Sequence, residues 1–307
     1  MPGGVFLTGG SGFVGQSVVA ELLSRCHPVN ALVHRGKILS ADPAVHEIEG
    51  SLFDPKALDE GVKGCDSVIH LVGIIMEDRA KGVTFERMHF EGTRAVVDAA
   101  KRNGVRRYVQ MSALGTRPNA ASQYHRTKWK AEEYVRGSGL DWTILRPSMI
   151  HGSGGFMKTE AQWARKETMP YIGMPYFGSG LFGLGGAGKL QPIFVTDVAR
   201  AFVDALDKRK TIGQTYDLAG PDQLTWPQFH ELASEQIVGH KRPNAPFPAW
   251  LAKLLATAGL GTILNFNRDQ VIMSQEDNIA DTTSFRQDFG WKPTPFRVAL
   301  KEYASEL

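Results

Sequence analysis

Tyr124 and Lys128 stand four positions apart in Tyr124-His125-Arg126-Thr127-Lys128, a spacing that puts both on one face of a helix. An ammonium beside a phenol favours the phenolate and lowers the tyrosine pKa toward the range a general acid/base needs. Ser112 ends a strand-like run, Arg107-Tyr108-Val109-Gln110-Met111-Ser112, at the edge where parallel sheets place ligands. Its hydroxyl could hydrogen-bond a carbonyl while Tyr124 delivers or removes a proton. A second constellation opens the chain: Gly10-Ser11-Gly12-Phe13-Val14-Gly15 fits G-x-G-x-x-G. Glycine suits that turn because it is tight and lets a pyrophosphate approach the backbone, while the following helix turns free N–H groups toward phosphate. The pattern recurs at Gly178-Ser179-Gly180-Leu181-Phe182-Gly183 and at Gly183-Leu184-Gly185-Gly186-Ala187-Gly188. Neither copy lies between a strand and an amphipathic helix, and the last has Leu190 where a P-loop needs Ser or Thr. Only the first copy has both neighbours, and it is read as the cradle.

Such groups need a scaffold, and the first 150 residues alternate strand-like and helix-like segments. Val5-Phe6-Leu7 is a short apolar run, and Val14, Val18 and Leu22 then recur as a helical stripe. Residues 29–33 read as a second strand. Asp54-Pro55 supplies an N-cap and an N1 proline ahead of Ala57, Leu58 and Val62. Residues 67–72 form a buried strand, 88–100 a helix, 107–112 a strand, 124–135 a helix, and 142–145 a strand stopped by Pro147. Strands separated by helices imply βαβ crossovers, hence an α/β, Rossmann-like doubly wound parallel sheet. After Pro147 the alternation lapses and ten glycines fall within 151–190. It returns at Pro192-Ile193-Phe194-Val195, with a helix through Val198, Phe202 and Leu206, a strand at Tyr216-Asp217-Leu218, and a helix opening near Thr225. Residues 241–290 read as Pro-flanked and helical at best. The expected division is a nucleotide-binding domain of residues 1–150 and about 191–238, with a smaller C-terminal substrate lobe of about 151–190 and 239–307.

Cofactor choice is read after the second strand, where a site for NAD places Asp or Glu on the ribose hydroxyls. Here stand His34-Arg35-Gly36-Lys37. Arg35 could grip a 2′-phosphate through paired charge-assisted bonds, which favours NADP(H) over NAD(H); the alternative is a solvated basic turn. The 35 basic and 32 acidic residues give a formal charge of +3, too diffuse an excess for a nucleic-acid partner. Two cysteines, Cys26 and Cys65, make no disulfide framework. Nine scattered histidines lack metal-ligand spacing, so no metal is expected. With no signal or transit segment at the start, a cytoplasmic location is the expectation. The uncharged stretch 169–188 holds seven Gly and two Pro, a poor membrane helix.

Taken together, Thr8-Gly9-Gly10-Ser11-Gly12-Phe13-Val14-Gly15, His70-Leu71-Val72-Gly73, Glu91-Gly92-Thr93, Ser112, Tyr124-x-x-x-Lys128, Arg146-Pro147, Val195-x-Asp197-Val198-Ala199 and Gly290-Trp291-x-Pro293 resemble the extended and atypical short-chain dehydrogenase/reductases. These matches run from one end of the chain to the other. His89-Phe90-Glu91-Gly92-Thr93-Arg94, Met111-Ser112-Ala113-Leu114-Gly115, Arg268-Asp269-Gln270-Val271 and Asp277-Asn278 are similar to bacterial relatives of the NAD(P)H-binding accessory subunit of respiratory complex I. The resemblance implies that Tyr124 is the acid/base, that Lys128 holds the nicotinamide ribose and tunes Tyr124, and that Ser112 polarises the carbonyl. It implies cofactor contacts from Thr8 through Gly15, from His34, Arg35 and Lys37, and from Ser51 and Leu52. Further contacts fall to Leu71, Val72, Gly73, His89, Lys128 and Pro147. Two departures stand out. Only 12 positions separate Ser112 from Tyr124, so the loop over the nicotinamide is cut back, and His89 replaces the usual Asn of the fourth helix.

Arg146 ends a strand and could bind an anionic substrate, though pairing with a local carboxylate is the simpler account. His89 and His125 face either the nicotinamide pocket or ordinary helix surface. Residues 247–264 carry one charge, Lys253, and the 169–188 loop adds Tyr171, Tyr176, Phe177, Leu181 and Phe182. Both segments either pack the lobe, form a lid and groove for a small hydrophobic substrate, or dock peripherally on a membrane complex. Three functional readings follow: an NADP(H)-dependent oxidoreductase acting on a hydrophobic carbonyl or alcohol, a non-catalytic dinucleotide-bound subunit or assembly factor of a respiratory complex or of quinone metabolism, and a sugar-nucleotide epimerase.

Overall fold

A computed structural model describes residues 3–34, 36–38, 40–261 and 266–307. The chain runs β1 (Gly4–Thr8), α1 (Phe13–Ser24), β2 (Val29–Val33), β3 (Val45–Glu49), α2 (Pro55–Val62), β4 (Cys65–His70), a π-helical turn (Glu86–Glu91), α3 (Gly92–Arg102), β5 (Arg107–Met111), α4 (Gln123–Arg136) and β6 (Asp141–Pro147). It continues with β7 (Ile150–His151), α5 (Phe156–Ala164), β8 (Met174–Gly178), β9 (Ile193–Phe194), α6 (Val195–Asp207), β10 (Gln214–Leu218) and α7 (Trp226–Val238). The last elements are β11 (Asn244–Pro248), α8 (Ala249–Thr257), α9 (Arg268–Ser274), α10 (Thr283–Phe289) and α11 (Phe296–Tyr303).

Seven strands form one parallel sheet in the order β10-β6-β5-β4-β1-β2-β3. Strand order reverses between β1 and β4, which leaves a crevice at their carboxyl ends, the place where such sheets bind ligands. Helices cover both faces of a parallel sheet, so its inner strands lack polar alternation. Val5, Phe6 and Leu7 of β1, and Val68 and Ile69 of β4, have no exposure. Phe6, Leu58, Val62, Val68, Val96, Tyr108 and Ile144 share one core cluster. Helix α2 lies close to the sheet because residue 61 is glycine: a Cβ there would come 2.2 Å from the Phe6 ring. Its start follows the expected chemistry, with the Asp54 carboxylate accepting from the Lys56 and Ala57 amides.

The chain divides into two compact units, one of residues 1–147, 195–218 and 282–291, the other of 148–194, 219–281 and 292–307. The expected limits therefore shift. The nucleotide unit closes its middle segment at Leu218 rather than near 238, because α7 packs on α5 and belongs to the second unit. Residues 282–291 return to the first unit, where the Tyr216 hydroxyl donates to Asp288 at 2.6 Å and the Trp291 indole N–H donates to Asp204 at 2.7 Å. Four strands were also unforeseen, β7 and β8 in the stretch where the alternation lapses, and β3 and β11. Strand β3 is a half-exposed edge (Val45-His46-Glu47-Ile48-Glu49), and β11 lies inside the stretch expected to be helical at best.

In the second unit β8 pairs in parallel with β11, and β7 with β9. Helix α7 opens with a capping box between Thr225 and Gln228, and α9 with one between Asn267 and Gln270. Ala249, Ala252 and Val271 form a small core against Phe177, Phe247 and Phe266. Among the described residues no helix is long and apolar enough to cross a membrane.

Candidate functional site

The turn after β1 is built from close backbone approaches. Gly9 has φ +83°, and the Gly12 amide donates to the Gly9 carbonyl at 3.1 Å. A Cβ on Gly15 would lie 2.1 Å from that same carbonyl oxygen, so the first turn of α1 sits directly on the loop. Gly12 caps α1 with no side-chain hydrogen bond, and no acidic residue occupies the first turn. The helix's first amides and the positive end of its dipole thus face the loop without a competing side chain, the electrostatics a diphosphate requires. Thr8 is fully buried, its hydroxyl 2.5 Å from His70 Nδ1. Ser11, Phe13 and Val14 complete the turn. The later glycine copies stand in a loop after β8 with no helix behind them.

Other predicted contacts converge on this edge. Leu71 donates its amide to the Thr8 carbonyl at 3.0 Å, and Leu71 and Val72 line the space a Cβ on Gly9 would fill. Gly36 lies against Ser11, where a Cβ would come 2.7 Å from the serine Cβ. His34 and Lys37 are exposed; Arg35 lies outside the described residues. Gln16 and Glu47, which the sequence reading did not single out, anchor this loop: Gln16 donates to the Lys37 carbonyl at 2.8 Å, and Glu47 accepts from the Ile38 amide at 2.6 Å. Ser51 turns the chain after β3, its hydroxyl accepting from the Phe53 amide at 3.2 Å. Leu52 beside it is buried. The Pro147 carbonyl, ending β6, accepts from the Leu114 amide at 2.9 Å.

Ser112 and Lys128 lie at the carboxyl end of β5, and Tyr124 stands one turn before Lys128 on α4. Ser112 follows β5 and its hydroxyl lies 3.4 Å from that of Thr116. Lys128 is 2% exposed and donates to the Met111 carbonyl at 3.2 Å. Its Nζ stands so near Gly73 that a Cβ there would lie 2.9 Å away, so a side chain at 73 would displace the ammonium. An ammonium carries three donors, and one protein acceptor leaves two for the hydroxyls of a ribose. The bare cradle and this under-used buried cation both fit a dinucleotide. Burial pulls the Lys128 pKa down to about 8 against the opposing pull of Glu132. Glu132, fully buried, is taken up by Arg146 in a bidentate pair at 2.8 and 2.6 Å, and by Arg136 at 2.6 Å. Arg146 is thus occupied by a local carboxylate.

Tyr124 departs from expectation. Burial pushes its pKa up to about 12 rather than a lysine charge drawing it down. Its ring is boxed edge-on by Phe85, His89 and His125, with centroids 5.1–5.8 Å away. His89 is buried, not on the helix surface. The π-helical turn carries it inward, and π turns recur where a helix must aim one side chain. Its Nδ1 lies 2.9 Å from the Thr127 hydroxyl, and its Nε2 lies 3.1 Å from both the amide and the carbonyl of Ile74. Burial and the Lys128 charge hold it neutral, its pKa well below the ordinary histidine value. His125, also buried, sets Nδ1 3.0 Å from the Ser122 hydroxyl.

A buried lysine with a depressed pKa costs stability. Below about pH 8 both folded and unfolded chains hold the proton. Between about 8 and the ordinary 10.5 the unfolded chain holds more, so the unfolding free energy rises with pH across that window. Lys128→Met should raise the unfolding free energy at pH 7 by up to about 3 kcal/mol, flatten this pH slope, and weaken dinucleotide binding about tenfold or more. Denaturant titrations at pH 7 and 10, with a binding titration, read all three. A destabilised variant with unchanged affinity would contradict this placement of the ammonium.

The profile of the NAD(P)H-binding family matches residues 9–166, just over half the chain. A similar protein is the mitochondrial NADH dehydrogenase [ubiquinone] 1 alpha subcomplex subunit 9 of Arabidopsis thaliana, 32% identical over 264 residues. The match covers 81% of this chain and 61% of the plant protein, so this chain spans about three fifths of that relative. Sterol demethylase protein B of Methylococcus capsulatus is 26% identical, with 96% of this chain and 95% of that one covered. Among solved structures, UDP-glucose 4-epimerase from Thermotoga maritima with UDP-glucose superposes with a TM-score of 0.75 at 19% identity, covering 99% and 98% of the two chains. That likeness is one of fold. The glycine cradle, the 3-2-1-4-5-6 core of the sheet and the match across residues 9–166 agree: the chain belongs to the NAD(P)H-binding family and is similar to the complex I subunit.

Proposed function

We propose that the protein is an NADP(H)-dependent oxidoreductase that reduces a hydrophobic carbonyl compound, or oxidises the corresponding alcohol. The observation that carries this reading is geometric: the buried Lys128 ammonium sits on the carbonyl of Met111, the residue before Ser112, and Tyr124 stands one helical turn before Lys128 on α4. At neutral pH both groups hold their protons. A protonated phenol is the form that donates to a carbonyl oxygen, so the site is poised for reduction. The dinucleotide, when bound, supplies the hydride. Ser112 hydrogen-bonds the carbonyl oxygen, and Tyr124 gives it the proton. Lys128, the stronger acid of the pair, offsets the tyrosinate charge and holds the ribose. The alanine-backed aromatic cluster of the second unit, Phe177, Phe247 and Phe266 against Ala249 and Ala252, supports an apolar substrate, as does the name of the Methylococcus relative.

The non-catalytic reading has one specific observation in its favour, the 32% identity to a respiratory-complex subunit. It predicts a retained dinucleotide and no hydride exchange. NADP(H) preference rests on the sequence alone, on Arg35 next to Gly36, and Gly36 lies against Ser11 of the cradle.

Two experiments test the reading. With a panel of apolar aldehydes and ketones, Tyr124→Phe should lower NADPH-dependent reduction at least about a hundredfold, in keeping with loss of a general acid, and leave the NADPH dissociation constant within about threefold. Full activity in that variant would refute the mechanism, and no turnover in the wild type would favour the subunit reading. Arg35→Ser should weaken NADPH about tenfold or more while leaving NADH unchanged; a wild-type preference for NADH would overturn the assignment.

A further inference from the structure

The second unit carries a helix that faces the wrong way. In α8 the small Ala249 and Ala252 turn inward against Val271, whereas Trp250 and Leu254, four residues apart, are 51% and 59% exposed. A surface helix ordinarily buries its large apolar side chains. The topology adds a second apolar element beside it. Strands β8 and β11 are parallel, so the loop that follows β8 and the helix that follows β11 emerge at the same end. The Trp250 indole donates to the Leu181 carbonyl at 3.0 Å and ties loop to helix. A Cβ on Gly183 would lie 2.8 Å from the backbone at Phe247 and Pro248, so the loop is pressed onto the β11–α8 junction. Its Leu181, Phe182 and Leu184 are then 68%, 72% and 76% exposed.

We propose that this loop–helix face is a docking surface for a lipid bilayer containing anionic headgroups. Its chemistry separates a bilayer from a protein partner. Residues 179–188 and 249–261 hold one charged side chain, Lys253, and no carboxylate; beyond them Lys189 and Arg268 are exposed, and so is Asp277, whose carboxylate accepts from the Lys189 amide at 2.8 Å. Leu, Phe and Trp reaching outward from a glycine-rich loop and a short helix, with lysine as the charge, is the composition of an interfacial anchor. Lysine can lay its stem along the apolar face and keep its ammonium among phosphates. Protein interface cores are also depleted of charge, so what favours the bilayer is the lone cation, Lys253, on a protruding apolar edge. The inference stands apart from the proposed reaction, since it concerns residues of the second unit alone.

The test is flotation of the full chain with vesicles of phosphatidylcholine alone or mixed with phosphatidylglycerol, and without vesicles. The wild type should float with the mixed vesicles and less with phosphatidylcholine alone. Phe182→Ser combined with Leu184→Ser, and separately Leu254→Ser, should each cut the floated fraction about tenfold, and Lys253→Glu should remove the preference for the anionic lipid. Trp250 is left in place because its indole holds Leu181. NADPH affinity should be unchanged in every variant, which shows that the nucleotide unit is intact. Failure of the wild type to float, or equal flotation of the serine variants, would overturn the proposal. So would self-association that the serine variants abolish without any vesicle binding, because the face would then join two copies of this chain.

Discussion

The structure turns on how closely one carbonyl oxygen, that of Gly9, can be approached. It accepts from the Gly12 amide and stands where any side chain on residue 15 would have to go. Only with glycine at 15 can α1 begin immediately after β1 and keep its axis toward the switch point of the sheet. That constraint leaves the helix's first amides without a side-chain cap. Unsatisfied donors at a helix start normally cost stability and are paired off by Ser, Thr, Asp or Asn. Here they face the edge on which Leu71, Gly73, Met111 and Lys128 also converge.

The same edge concentrates buried charge. Lys128 lies in the interior with one backbone acceptor, while Glu132, one turn along α4, is neutralised by Arg146 and Arg136. The two arginines quench the carboxylate that would otherwise have been the lysine's partner. The lysine is left acidic, and Tyr124, crowded by Phe85, His89 and His125, is left reluctant to ionise. Burial rather than pairing shifts both affinities, the tyrosine's upward and the lysine's downward. His89 joins the cluster from the π turn that carries it inward.

Much of this was legible in the sequence because it is local. The apolar run Val5-Phe6-Leu7, the glycine turn and the stripe of Val14, Val18 and Leu22 belong to one strand–turn–helix, and Asp54-Pro55 announces its own helix. The four-residue spacing of Tyr124 and Lys128 placed both on α4. What was not legible depends on distant chain. Strand β3 is a half-solvated edge whose Val45-His46-Glu47-Ile48-Glu49 has no apolar run, and β11 hides between prolines 243 and 248. Residues 282–291 rejoin the first unit through Asp288 and Trp291, contacts that no periodicity announces. The rise in the Tyr124 pKa comes from rings contributed by the 85–89 segment as well as by the adjacent His125. Spacing shows which groups share a face but not how dry that face is.

The central claim is that the Gly9–Gly15 turn cradles a dinucleotide diphosphate, and a calorimetric titration of the wild type and of Gly15→Ala with NADPH tests it most directly. The wild type should bind one dinucleotide per chain. The alanine variant should keep its far-ultraviolet circular dichroism and lose about a hundredfold or more in affinity, since its methyl group must push the helix start away from Gly9. Equal affinity in the two proteins, or no binding of NADPH or NADH by the wild type, would contradict the account.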